Sequence, residues 1–182
     1  MLQTKKMLKF NSEFEVLTNI DATTLDENGD PYISIPSGLY NYVLSNGNGI
    51  QTYVEYIVKS IWMNTYSNVK DHQSNADPYD VEVTDQDQQN CRYVDIRTIS
   101  KKKRSVYLGN TNAYTKRNTI WCQDKVNQLG KNGGYVFIDP YYSKNLSWSA
   151  YWFSAEAAVN VFGNKHKDGN IRIAEILELY GK

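Results

Sequence analysis

Apolar and polar residues alternate strictly near the start of the chain. The apolar side chains occupy even positions: Leu8, Phe10, Phe14, Val16 and Ile20. A period of two residues places such side chains on one face of a β-strand. Asn11 and Ser12 form a permitted two-residue turn, so the pattern predicts either one long strand or a β-hairpin over about residues 2–20.

The clearest helical pattern covers residues 50–66. Its apolar side chains recur at spacings of three and four residues: Ile50, Tyr53, Val54, Ile57, Ile61 and Trp62. This spacing is typical of an amphipathic helix packed on a core. Before it, residues 26–31 predict a turn, residues 32–35 a short strand, and Ser37 the start of a short helix. After it, residues 67–80 have no period and predict an exposed loop.

The middle of the chain reads as short strands joined by polar segments. Val81 and Val83 alternate with polar residues in a short strand, and residues 85–90 form an unbroken polar turn or loop. Residues 92–100 and 104–109 are rich in Val, Ile, Thr and Tyr. They predict a β-hairpin whose tip consists of four consecutive cations, Lys101, Lys102, Lys103 and Arg104.

The C-terminal third alternates between strand and helix signals. We expect a helix at residues 118–129, strands at 135–138 and 151–153, a helix at 155–162 capped by Ser154, and a closing strand at 171–176. The whole pattern predicts an α+β fold with a mixed, mainly antiparallel sheet, hairpins and three to four helices. Residues 1–182 form a single domain in this interpretation, with the hairpin at about 2–20 as a possible appendage.

Composition narrows the class of protein. The chain has 182 residues, of which 41% are hydrophobic, so wholesale disorder is excluded. No stretch approaches the roughly 18 continuous apolar residues of a membrane span, and no apolar signal segment follows the first lysines, so we expect a cytoplasmic protein of a bacterial host. Two Cys and two His argue against a disulfide framework or a zinc site. We therefore expect no cofactor and no metal.

The formal net charge of zero hides a segregation of sign. Residues 10–91 carry 13 acids and two lysines, whereas residues 92–182 carry 15 bases and seven acids. The switch falls between Cys91 and Arg92. Two outcomes are open: the segments form separate lobes that steer charged partners, or they pair in one sheet and cancel.

The basic segment carries the main candidate binding surface. Flanking cations and tyrosines accompany Lys101, Lys102, Lys103 and Arg104 of the predicted tip: Arg92, Arg97, Lys116, Arg117, Tyr107 and Tyr114. Cations neutralise phosphates and tyrosines stack on unpaired bases, so this set predicts nucleic-acid binding. A solvated hairpin turn is the alternative interpretation. The chain contains neither a GxGxxG nor a Walker A phosphate-binding motif.

An enzymatic alternative rests on Asp80, Asp95 and Arg97. Asp80 precedes a predicted strand, and Asp95-Ile96-Arg97 lies on the next one. This arrangement loosely resembles metal-dependent nucleases of the PD-(D/E)xK kind, in which two carboxylates hold Mg²⁺ beside a lysine. Arg97 stands where the pattern has lysine, and a guanidinium cannot deprotonate to act as a base. The leading expectation is therefore a protein with no catalytic residues.

In overall character the chain resembles small inhibitor proteins of phages and mobile elements, especially anti-CRISPR proteins directed at Cas9. The shared features are a small motif-poor domain, 19 Asn and 15 Tyr, and segregated charge. The resemblance implies a binding inhibitor that engages Cas9, its guide RNA or both and blocks DNA targeting. Another nucleic-acid enzyme is the alternative target.

The predicted strand near the N-terminus supplies a second candidate contact. Exposed strands recruit protein partners by main-chain pairing. We therefore expect Lys9, Phe10, Glu13 and Glu15 to contact the partner protein. No membrane contact is expected, and the sequence predicts no oligomeric state.

Overall fold

A computed structural model describes residues 5–21, 49–73, 77–85, 90–107, 128–130, 132–141, 147–158 and 170–180. These residues form an α+β fold, as predicted. In chain order the elements are β1 (Phe14–Asp21), α1 (Gly49–Thr65), β2 (Val69–Asp71), β3 (Val81–Thr84), β4 (Cys91–Thr98), β5 (Ser105–Tyr107), β6 (Gly134–Asp139), β7 (Ser147–Ser154), β8 (Asn170–Arg172) and α2 (Ile173–Tyr180). Residues 155–158 add one helical turn, and Ser154 Oγ accepts a hydrogen bond from the Ala157 amide at 3.1 Å, which confirms the predicted cap.

Six strands form one mixed sheet in the order β1-β7-β6-β4-β3-β2. The β4–β6 pair is parallel, and the other four pairs are antiparallel. β5 and β8 form a separate two-stranded antiparallel sheet. The prediction of a mixed, mainly antiparallel sheet is confirmed, while the extent of the domain over residues 1–182 stays a prediction.

The large sheet carries an apolar cluster on each face. β6 is buried along its whole length because both of its faces are covered. Val136 and Ile138 join the cluster beneath α1, and Tyr135 and Phe137 join the cluster that includes Ile176 of α2. The helix predicted at residues 50–66 is confirmed as α1, and it covers the first cluster with six buried apolar side chains: Ile50, Val54, Ile57, Val58, Ile61 and Trp62.

The N-terminal segment enters the core instead of forming a separate hairpin. Phe10 is buried and stacks on Trp152 with ring centroids 3.9 Å apart. Glu15 Oε1 accepts hydrogen bonds from the amides of Asn11 and Ser12, which bends the chain before β1. β1 then pairs with β7, so the alternative of a hairpin over about residues 2–20 is wrong for the described part of this segment.

Two other local predictions are corrected. The loop predicted at residues 67–80 contains β2, which pairs with β3 because Val69 is buried beneath α1. The strand predicted at residues 171–176 stops at Arg172, and α2 begins at Ile173. Ile173 and Ile176 are both buried, and this three-residue spacing places them on one face of a helix.

The predicted hairpin between residues 92–100 and 104–109 is also wrong in its pairing. β4 forms as expected, but its edges are occupied by β3 on one side and β6 on the other. β5 therefore has no strand edge of β4 to join, and it pairs with β8 instead.

Several predictions lie outside the described residues: the strand at 32–35, the helix beginning at Ser37, most of the helix at 118–129, and residues 159–162 of the helix at 155–162. In the part of the chain that the structure describes, no helix combines the length and apolar character needed to cross a membrane.

Candidate functional site

The four predicted tip cations lie on a tight turn at residues 100–105, here called the lysine turn. Two backbone hydrogen bonds close it: the Ser100 amide donates to the Ser105 carbonyl at 2.8 Å, and the Arg104 amide donates to the Ser100 carbonyl at 3.0 Å. The three residues Lys101, Lys102 and Lys103 are exposed. The turn therefore presents three adjacent ammonium groups to solvent.

Arg104 differs from the three lysines. Its φ is 52°, in the left-handed region that few non-glycine residues adopt. Its guanidinium donates two hydrogen bonds to the buried Asp139 carboxylate, the longer of them 2.9 Å from Nη1 to Oδ1. This fork-to-fork geometry is the strongest form of an arginine–carboxylate pair. The predicted row of four exposed cations is corrected to three, because the Arg104 side chain is only 34% exposed and its guanidinium is bonded to Asp139.

Asp139 also connects the lysine turn to the chain that follows β6. Its Oδ1 atom accepts a hydrogen bond from the Tyr141 amide at 3.3 Å. The Lys101 Nζ atom lies 5.9 Å from the centroid of the Tyr141 ring, within the range of a cation–π contact. A phenol ring is thus held beside the first lysine of the turn.

The other predicted nucleic-acid contacts do not gather around the lysine turn. Arg97 is largely buried and donates to Asp95 at 2.8 Å, with its Nε atom buried and without a partner. Arg92 is half-buried, and its Nε lies 3.8 Å from Asp85. The backbone of Tyr107 pairs with Asn170 in the small sheet. The remaining candidates, Lys116, Arg117 and Tyr114, lie outside the described residues.

The acidic and basic segments meet in the sheet. β3, from the acidic segment, pairs antiparallel with β4, from the basic one, so that Val83 is opposite Arg92. Of the two outcomes left open by the sequence, pairing within one sheet describes these strands. Among the described bases of the basic segment, the exposed ones are the three adjacent lysines of the lysine turn and Arg172.

The nuclease candidates lie beside the start of β3, where β4 continues beyond it. Asp80, just before β3, accepts a hydrogen bond from the Ile96 amide at 2.6 Å and so extends the contact between the two strands. Burial and the nearby charge of Glu55 together raise the pKa of Asp80 to about 6, against the opposing hydrogen bonds from Ile96 and Asp95. The environment of Asp80 therefore disfavours the ionised form of this one carboxyl group.

Asp80 interacts with both Glu55 and Asp95, which belong to different elements. Side chains alternate along β4, so Val94 and Ile96 join the cluster beneath α1 while Asp95 and Arg97 take the opposite face. Glu55 belongs to α1. Among the residues placed by the structure, no group of three or more His, Cys, Asp or Glu side chains is arranged to hold a metal ion.

A charged cluster that the sequence analysis missed ties α1 to β2. Lys59 is buried, and its Nζ atom lies 2.6 Å from Asp71 Oδ1 and 3.1 Å from His72 Nδ1. Burial raises the pKa of Asp71, but the hydrogen bond and charge of Lys59 outweigh it, so the pKa lies below its ordinary value. The available signal was a lysine within the apolar face of the predicted helix, four residues after Glu55.

The predicted partner contacts near the N-terminus divide into exposed and buried residues. Lys9 and Glu13 are exposed, whereas Glu15 is half-buried and bonded to the backbone turn before β1. Phe10 is buried against Trp152, so its assignment to an exposed contact surface is wrong. The strand beside these residues, β1, is one of the two outer strands of the six-stranded sheet.

No protein-family model, no curated protein and no solved structure matches this chain. Function is therefore inferred from the chain's own geometry, which offers two regions: the lysine turn and the carboxylates at the start of β3.

Proposed function

We propose that this chain binds nucleic acid through the lysine turn and thereby inhibits a nucleic-acid enzyme. The observation that carries the proposal is the exposed row of Lys101, Lys102 and Lys103 on a turn closed by backbone hydrogen bonds. Adjacent ammonium groups repel one another and gain most from contact with a polyanion, whose phosphates release counterions when they are neutralised.

The proposed target is a Cas9–guide RNA complex. The choice of Cas9 is supported by the chain's resemblance in overall character to anti-CRISPR proteins, and the exposed lysines suit its guide RNA. The exposed side chains of Lys9 and Glu13, beside the outer strand β1, are the proposed contacts with the protein component. Binding at both places would block DNA targeting without any catalysis by this chain.

The test compares two triple variants that remove the same charge. In the first, Lys101, Lys102 and Lys103 are replaced by Ala. In the matched control, the exposed residues Lys5, Lys6 and Lys70 are replaced by Ala. Guide-RNA binding and Cas9 cleavage of target DNA are measured with each. We expect the first variant to lose RNA binding and inhibition and the control to keep both. Equal inhibition by the first variant and the wild type would overturn the proposal.

A second candidate, a metal-dependent nuclease, is favoured by one observation: the Asp80 and Asp95 carboxyl groups interact beside the start of β3. Carboxylate oxygens are the ligands that Mg²⁺ prefers. The fit to a metal is incomplete, because Arg97 already bonds to Asp95 and no third ligand joins the two carboxylates in the described ranges. We therefore derive no reaction step through a metal.

The nuclease candidate is tested with purified protein and labelled RNA or DNA, in Mg²⁺ or in EDTA and without Cas9. Mg²⁺-dependent cleavage that disappears in Asp80→Asn but persists in Glu156→Gln, an exposed acid, would establish the nuclease and exclude a pure inhibitor. We expect no cleavage by any of the three proteins.

A further inference from the structure

The lysine turn is held from both of its sides. Within the turn, the Ser105 amide donates to Ser100 Oγ at 3.3 Å, in addition to the two backbone bonds that close it. Outside the turn, the Arg104 carbonyl accepts a hydrogen bond from the Ile173 amide at 2.9 Å, at the start of α2. The backbone that carries the lysines is thus fixed to the small sheet and to α2.

The side chain of Arg104 adds a third anchor. Arg104 has a left-handed φ of 52°, and its guanidinium binds Asp139 at the end of β6. Asp139 is buried, so the departure of Arg104 would leave a buried carboxylate without its cation. Such an uncompensated charge is strongly unfavourable, which keeps Arg104 on Asp139 when an external anion arrives.

We propose that Arg104 is a positioning residue and that Lys101, Lys102 and Lys103 are the residues that contact phosphate. The Arg104–Asp139 pair fixes the turn so that the three ammonium groups face one anionic strand. The site then takes successive backbone phosphates of a nucleic acid and reads no base. This inference rests on the proposed function, because it names which cations of that site meet the ligand and which one holds them in place.

Salt dependence separates the two roles. For a single strand, the slope of log Kobs against log [salt] falls by about 0.7 for each phosphate contact. We expect each of Lys101→Ala, Lys102→Ala and Lys103→Ala to reduce the magnitude of that slope by about 0.7 for a single-stranded RNA of mixed sequence. Arg104→Lys and Asp139→Asn should leave the slope unchanged and weaken binding about threefold to tenfold, the effect of a less ordered site.

Arg104→Lys is informative because lysine keeps the charge but not the two-pronged hydrogen bonding of the guanidinium. If Arg104 contacted phosphate directly, Arg104→Lys would bind RNA with little loss of affinity. A positioning role instead requires the two hydrogen bonds from the guanidinium to Asp139. Asp139→Asn tests the same pair from its other side. If Arg104 were available to phosphate, this variant would bind more tightly or show a steeper slope.

The outcomes are distinguishable from failure of the proposed function. If the wild-type protein binds no RNA, the proposed function fails. If it binds but Arg104→Ala lowers the slope by about 0.7, or Asp139→Asn binds as well as the wild type, the positioning role is overturned.

Thermal unfolding of each variant shows whether it is folded at the assay temperature. Should Asp139→Asn be unfolded there, the slope with Arg104→Lys decides alone: an unchanged slope with weaker binding supports the role, and any other result overturns it.

Discussion

The strand β4 and the turn that follows it use charged side chains in opposite ways. On the strand itself, Asp95 and Arg97 bind each other and are withdrawn from solvent. Immediately after the strand, Lys101, Lys102 and Lys103 face solvent. The same stretch of basic sequence therefore contains charges that belong to the architecture and charges that are available to a ligand. The number of charged residues in the sequence does not distinguish these two kinds of charge, whereas the partners of each side chain in the structure do.

The largest expected effect comes from breaking the internal pair. Replacing Asp95 by Ala leaves the largely buried guanidinium of Arg97 without its carboxylate. The loss of one partner of a buried ion pair costs about 3–5 kcal/mol, so we expect the free energy of unfolding in urea to fall by about that amount.

Glu156→Ala is the control for this prediction because it removes an exposed carboxylate. Its effect should stay within about 0.5 kcal/mol of the wild type. If Asp95→Ala also stayed within that range, the charges of β4 would be as dispensable for stability as those of the surface.

A smaller effect, of opposite sign, is expected for Asp80→Asn. The pKa of Asp80 in the folded protein, about 6, lies above its ordinary value of 3.8, so the folded state binds this proton more tightly. The contribution of Asp80 to stability is therefore most favourable below its ordinary pKa, declines as pH rises to about 6, and is unfavourable and constant above that. Asn keeps an oxygen for the Ile96 amide without the charge. At about pH 8 the free energy of unfolding of the variant, measured in urea, should exceed that of the wild type by about 1–2 kcal/mol. The wild type's decline in stability between about pH 4 and 6 that is due to Asp80 should be absent from the variant.

Asp71→Asn provides the comparison with reversed sign. The pKa of Asp71 is lowered, so its stabilising contribution is present above its ordinary pKa and is lost as pH falls through the lower pKa of the folded state. This variant should be less stable than the wild type at neutral pH. A loss of stability in both variants would contradict the assignment of Asp80 as an unfavourable buried charge.

The smallest expected effect belongs to the lysine turn. Lys102 is exposed, so Lys102→Ala should change the free energy of unfolding by no more than about 0.5 kcal/mol. The same variant is expected to weaken RNA binding. A marked change in the urea midpoint would show that the turn belongs to the architecture after all.

Local patterns were sufficient to predict the elements whose signal is contained in their own residues. The three- and four-residue spacing of apolar side chains located α1, and the continuous apolar run located β6. The strand predicted at residues 171–176 was wrong beyond Arg172 because two patterns overlap there. Ile171 and Ile173 alternate as in a strand, while Ile173 and Ile176 also fit a helix. Burial of the latter pair beside the second cluster selects the helix.

What the sequence did not predict depends on distant partners. β5 cannot pair with β4 because both edges of β4 are already paired, one of them with a strand that begins at Gly134. Arg104 looks like a fourth member of a cationic run until Asp139, 35 residues away, is placed beside it. The exposed lysines themselves were correctly located as the projecting part of a turn, because adjacent like charges disfavour burial.

The pairing of β1 with β7 also has a consequence for the order of folding during synthesis. It joins Phe14 to Phe153, and the neighbouring Phe10 needs the ring of Trp152. Closing so long a loop is entropically costly, and contacts this distant in sequence are typical of slow folding. During synthesis at about 5–20 residues per second, Phe10 waits on the order of ten seconds for its partner to emerge. Over that interval the nascent chain carries an unpaired strand and an exposed aromatic ring, the kind of surface that chaperones recognise.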